Sequence, residues 1–209
     1  MISNTQQTKA FTMLELVFVI VVIGILASLA LPRIERDLRQ EAADNILSAI
    51  RYTQHLALND NKTDPSDPFW QKKFWQIRFE SDGDGGLLYK VGSNEDNGTN
   101  IDKIEAAVDP TNGKYMFANS TTLQADESPI VLLGKKYGIA NNYTRTGSCS
   151  AVQHMAFDQL GRPHTAINTA TNTYSTYMTD DCTMTFSFLD TSIPALSIVV
   201  TTETCLLYT

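Results

Sequence analysis

Apolar residues crowd the start of the chain and give way to alternation further on. From Leu16 to Leu31 the run is apolar throughout except for Gly24 and Ser28. Extended back to Phe11, it covers 21 residues and admits only Thr12 and Glu15 as further polar members. A helix of that length reaches about 30 Å, the thickness of a bilayer's hydrocarbon core. The hydrophobic region of a secretory signal is shorter, about 7–15 residues. A polar leader, Met1 to Ala10, stands ahead of the run with Lys9 near its end, and no second stretch of comparable length follows. The pattern predicts a single membrane pass over residues 11–31, leader inside and bulk outside. Arg33, Arg36 and Arg39 lie on the far side, but long domains cross largely regardless of flanking charge.

Pro32 follows Leu31, and an interior proline lacks the amide donor that a helix needs, so a kink is expected there. The helical period then resumes. Leu38, Ala42, Ile46, Ala49, Ile50, Leu56 and Ala57 recur at spacings of three and four, while Glu35, Asp37, Arg39, Glu41, Asp44 and Arg51 take the other faces. Residues 32–58 therefore read as an amphipathic stalk whose apolar stripe packs on a globular head. The breakers of Asn59 to Pro68 end it.

Beyond residue 69 the period falls to two. Trp75 to Glu80 alternates as a half-buried strand, Ser81 to Gly86 is a turn, and Leu87 to Val91 returns. A looser insertion spans Gly92 to Asn119. Ile130 to Leu133 and Val152 to Phe157 read as short buried strands, with a turn at Asp158 to Pro163. Cys182, Met184, Phe186 and Phe188 share one parity against Thr183, Thr185 and Ser187, the clearest strand of the chain. Leu196 to Thr201 and Cys205 to Tyr208 complete the set. The layout predicts an α+β protein: a long N-terminal helix on an antiparallel, β-sandwich-like head at 69–209.

The composition changes this picture little. Of 209 residues, 43% are hydrophobic and 19% charged, enough for a packed core. The formal charge of −7 disfavours nucleic acid as a partner, since phosphate binding needs clustered Lys and Arg. No P-loop, GxSxG or HExxH motif occurs, so no enzyme activity is expected.

Glu15 is the residue out of place. A carboxylate inside an apolar segment costs a few kcal/mol, by order of magnitude, and such groups normally have a partner. It either sits in the headgroup layer or meets a partner from another molecule.

Lys9-Ala10-Phe11-Thr12-Met13-Leu14-Glu15-Leu16, the apolar run and Pro32 together resemble the class III signal of type IV pilins and type II secretion pseudopilins. In that family a prepilin peptidase cuts on the cytoplasmic side before a Phe that is then N-methylated. An acidic residue follows at the fifth mature position, and often a Pro near the twenty-second. A cut after Ala10 makes Phe11 first and brings Glu15 and Pro32 into that register. Ala10 stands where the family usually has Gly, and a small residue is kept. The resemblance implies a cleaved leader at 1–10 and pairing of Glu15 with the α-amino group of Phe11 on a neighbouring subunit. Loss of the leader removes Lys9 and makes the chain one unit more negative.

Two weaker likenesses, Ile46 to Gln54 and Phe157 to Pro163, point to the minor pseudopilins and minor pilins. The implied function is structural: a subunit of a type II secretion or type IV pilus machine, in the inner membrane with its head in the periplasm, assembled into a filament. Its implied partners are other pilin-like subunits, prepilin peptidase and secreted cargo. The alternative is a membrane-anchored periplasmic enzyme or binding module that keeps an uncleaved signal anchor.

Three candidate sites remain. Cys149, Cys182 and Cys205 lack metal-type spacing, and export allows one disulfide with one cysteine over. Cys149–Cys182 would close a loop of about 34 residues and stabilise the head by about 3–4 kcal/mol; Cys182–Cys205 is the other option. Asp82, Asp84, Glu95 and Asp96 are candidate Ca²⁺ ligands, the family's major pseudopilins binding calcium in a loop, but EF-hand spacing is absent and a plain turn uses the same residues. His55, His154 and His164 are scattered, which argues against zinc. No cofactor is expected.

Overall fold

The structure, a computed structural model, describes residues 13–96, 98–169, 174–202 and 207–208, with the side chains of all of these except 28–37, 169, 174, 207 and 208. The protein is α+β with antiparallel sheets. Its contacts divide it into two units, 1–38 and 39–209.

Helix α1, Met13–Asn59, starts in the first unit. Every large apolar side chain from Met13 to Leu26 is exposed, from 89% at Met13 down to 37% at Val22. The segment thus has no polar face and no covered face. Among the described residues, no helix is long and apolar enough to cross a membrane. The described side chains of 13–27 amount to about 22 Å of helix, against about 30 Å of bilayer core.

In the second unit α1 behaves differently. Ala42, Ile46, Ala49, Ile50, Thr53 and Ala57 are buried at helical spacing, and Glu41, Asp44 and Arg51 face water. The covered stripe is wider than the sequence pattern, for Ala43, Asn45 and Leu47 are buried too. Side chains of the helix reach four loops of the head. Tyr52 donates to the Val108 carbonyl at 2.8 Å, Asn45 to that of Ile130 at 3.2 Å, Gln54 to that of Gly161 at 2.9 Å and Arg39 to that of Ala195 at 3.4 Å. The helix ends where the Asn59 amide donates back to the His55 carbonyl at 2.7 Å. Asp64 and Asp67 then accept from the amides of Ser66 and Phe69, which turns the chain toward the first strand.

The strands are β1 (Trp75–Ser81), β2 (Leu87–Ser93), β3 (Thr144–Gly147), β4 (His154–Phe157), β5 (Pro163–His164), β6 (Cys182–Phe186), β7 (Leu196–Val200) and β8 (Leu207–Tyr208). They form two four-stranded antiparallel sheets, ordered β2-β1-β4-β5 and β3-β6-β7-β8. Register sets Phe79 opposite Tyr89 and Met184 opposite Ile198. The sheets meet where Phe79 packs on Phe186, ring centres 5.4 Å apart, with Tyr143 stacked on Phe186 at the same distance.

Two expectations need correction. Ile130 to Leu133 is not a strand. Ser128 caps the Ile130 amide with Pro129 at the first position of a 3-10 turn, Pro129–Val131, and helix α2 (Leu133–Tyr137) follows, ended by Gly138 at φ 71°. The Ser-Pro pair starts helical turns more strongly than the apolar run favours extension. β1 alternates from Ile77 to Glu80 as expected but departs at Gln76, which is buried along with Ile77 and Phe79 because the strand lies between β2 and β4. β2 is buried along its whole length. The insertion runs beside it, with the amide of Val91 donating to the Met116 carbonyl and that of Ala107 to the Val91 carbonyl.

Candidate functional site

The residues expected to be processed, Ala10 and Phe11, lie outside the described residues, as does Cys205. Glu15 stands in the first turn of α1 with its side chain exposed. Pro32 falls within α1, and the bend expected at it lies outside the described side chains. The candidate surface for assembly is therefore the segment from Met13 to Leu26, an exposed apolar stretch with one carboxylate, Glu15.

In the head, Cys149 and Cys182 are joined by a disulfide, their Cα atoms 5.4 Å apart. The geometry follows from strand pairing. β3 runs antiparallel to β6 with Gly147 opposite Cys182, and the turn after Gly147 swings Cys149 back over that position. Both sulfurs are buried, at 2% and 0% residue exposure, so the bond staples the interior rather than a surface loop.

The four acidic residues considered for calcium do not come together. Asp82 and Asp84 lie before β2 and Glu95 and Asp96 after it, so a strand of roughly 20 Å separates the pairs. Each is used locally. Asp82 accepts from the amides of Asp84 and Gly86 at 2.9 Å, closing the hairpin turn. Asp84 accepts from the Thr121 hydroxyl at 2.6 Å. Glu95 pairs with Lys62 at 2.8 Å, and Asp96 accepts from the Gly98 amide at 2.7 Å. Among the described residues, no group of three or more metal-ligating side chains forms.

The histidines part company. His55 is exposed on α1, while His154 and His164 are buried on the β4–β5 pair, where His164 stands opposite Ala156, two residues along from His154. His164 joins a hydrogen-bonded chain that the motif Asp158-Gln159-Leu160-Gly161-Arg162-Pro163 hides as a turn. Its Nε2 lies 3.3 Å from Asp158 Oδ2 and its Nδ1 2.9 Å from Thr176 Oγ1. Arg162 holds the same Asp158 oxygen at 2.6 Å and 2.7 Å. Burial would raise the Asp158 carboxyl, but the hydrogen bonds from His164 and Arg162 outweigh it and hold the group down at about 2. Hydroxyl, imidazole and carboxylate in a row is the order of an activated nucleophile. His164 at 1% and Thr176 at 6% exposure are both buried. The chain pins the turn after β4 to the segment carrying Thr176.

His154 is the converse case. Desolvation, then the charges of Arg78 and Arg145, push it down to about 4, so it is neutral inside the head. Its Nε2 has no hydrogen-bond partner.

Sequence reading missed the Asp158–His164–Thr176 chain because Thr176 comes from a distant loop. Compared with family models, with curated proteins and with solved structures, the chain matches none.

Proposed function

We propose that the chain is a pilin-like subunit, a minor pseudopilin or minor pilin of a type II secretion or type IV pilus machine. In this reading prepilin peptidase cuts after Ala10 and Phe11 is N-methylated. The helix then rests in the inner membrane with the head in the periplasm, and moves from lipid into a filament. The observation that carries it is the coincidence of two facts about one helix. Phe11, Glu15 and Pro32 stand in the register of the cleaved signal. The apolar side chains just after Glu15 are exposed on every side, whereas those beyond residue 41 are buried against the head. An apolar cylinder of that kind has to be covered by lipid or by other helices.

Lipid and a bundle of like helices are nearly equal solvents for apolar side chains, so the transfer costs little. Glu15 supplies direction. In low dielectric a carboxylate finds the charged α-amino group of a neighbour's Phe11 only in one register, which makes the pair a checkpoint for assembly. The acidic balance of the chain disfavours DNA as the ligand of the head.

The test is Glu15→Ala with cysteine cross-linking along α1 in cells carrying the cognate machine. Membrane retention should be unchanged and cross-links to other pilin-like subunits lost. Undiminished cross-linking would remove the pairing from the account.

A further inference from the structure

Between α1 and the insertion lies a cavity of about 110 Å³ whose wall includes Asn45, Tyr52, Tyr89, Asp109, Met116 and Ile130. Two unpartnered polar atoms and one carboxylate without a counter-ion meet in it. The Tyr89 hydroxyl, on a residue at 0% exposure, has no hydrogen-bond partner. The Asn45 amide nitrogen is committed to the Ile130 carbonyl and the Tyr137 hydroxyl, both at 3.2 Å, which leaves its Oδ1 buried without a donor. Asp109, at 1% exposure, accepts from the hydroxyls of Thr111 and Ser128 and from the Asn112 amide, yet no described Lys, Arg or His forms an ion pair with it. Burial opposes its charge, but those hydrogen bonds prevail and lower its titration, so the carboxylate is ionised inside the head.

These features select a ligand. Both open oxygens, Asn45 Oδ1 and the Tyr89 hydroxyl, can accept, and they lie beside a buried negative charge, which disfavours anions and favours a cation that donates several hydrogen bonds. Met116 and Ile130 give the same cavity an apolar side, suited to a few methylenes rather than to a hydrated ion. We infer that the cavity binds a primary ammonium on a short alkyl stem, supplied by a free amine or by the end of a lysine side chain from a neighbouring protein. The ammonium meets Asn45 Oδ1 and the Tyr89 oxygen in the field of Asp109, and the stem lies against Met116 and Ile130.

The site stands apart from the assembly reading and is tested on the full chain in detergent micelles. The probe is n-butylammonium chloride, followed by saturation-transfer NMR, with n-butanol and sodium chloride as references. Saturable binding of the ammonium is expected, with n-butanol failing to compete at equal concentration. Tyr89→Phe, which keeps the ring, and Asp109→Asn should each weaken it about tenfold, the first by loss of one charge-assisted contact and the second by loss of the neighbouring charge. Folding of both variants is checked by their circular dichroism. Equal binding of n-butanol, displacement by sodium chloride in excess of ionic-strength effects, or unchanged affinity in the folded Tyr89→Phe variant would overturn the proposal. Carbodiimide coupling in the intact envelope separates the two sources. A lysine-bearing peptide joined to Asp109 identifies a neighbour's side chain, and binding of the probe without such a product identifies a free amine.

Discussion

The two ends of α1 are built from similar residues and end in opposite circumstances. Ile20, Val21 and Ile23 are exposed, while Ile46 and Ile50, on the same helix, are at 0% and 1% exposure. The difference lies in the spacing between apolar residues. Where they recur at three and four, the head covers them. Where they are continuous, no single face of a head could cover them all, and in the proposed reading lipid or neighbouring helices do so. One helix thus carries a region buried within the head and a region exposed along its length.

Substitution along the helix breaks that comparison most sharply. Ile46→Asp buries an unpaired charge and should cost the head about 4 kcal/mol or more, enough to abolish its cooperative melt. Val21→Asp should leave the melting of the head unchanged, within about 0.5 kcal/mol, while reducing membrane retention. Thermal denaturation in micelles together with membrane fractionation measures both. The double change Cys149→Ser, Cys182→Ser comes next. It should destabilise the head by about 3–4 kcal/mol and leave retention untouched.

Acid sharpens the comparison further, since its targets lie in the head. His154 has its folded value lowered from 6.5 to about 4. The unfolded chain therefore gains that proton first, and stability is lost as pH falls from about 6.5 to about 4, by about 3 kcal/mol. Denaturant melts across this range should show the slope, and His154→Leu should flatten it. Asp158, held at about 2 against an ordinary 3.8, acts in the next window. Its contribution is present above pH 4 and is lost as pH falls toward 2, by about 2 kcal/mol. Asp158→Asn should remove this second step and spare the first.

What was legible in the sequence follows the same division between local and distant causes. The end of α1 near Asn59, the turn at Ser81 to Gly86 and the alternation of Cys182 to Phe186 are set by neighbours in sequence, and each is where the pattern put it. Strand β3, Thr-Arg-Thr-Gly, shows no apolar alternation and exists because β6 pairs with it. Ile130 to Leu133 misled because a local cap at Ser128-Pro129 outranks an apolar run. The burial of Gln76 depends on β4 lying alongside β1, and the Asp158–His164–Thr176 chain on a loop folding back, neither of which periodicity encodes. The cavity at Tyr89 and Asp109 was invisible for the same reason: its wall is assembled from α1, β2, the insertion and the Pro129–Val131 turn.

Mass spectrometry of the chain's N-terminus after expression with its cognate prepilin peptidase tests the central claim most directly. The account predicts that the chain begins with N-methylated Phe11. A chain that still begins at Met1 while working in the envelope would contradict it.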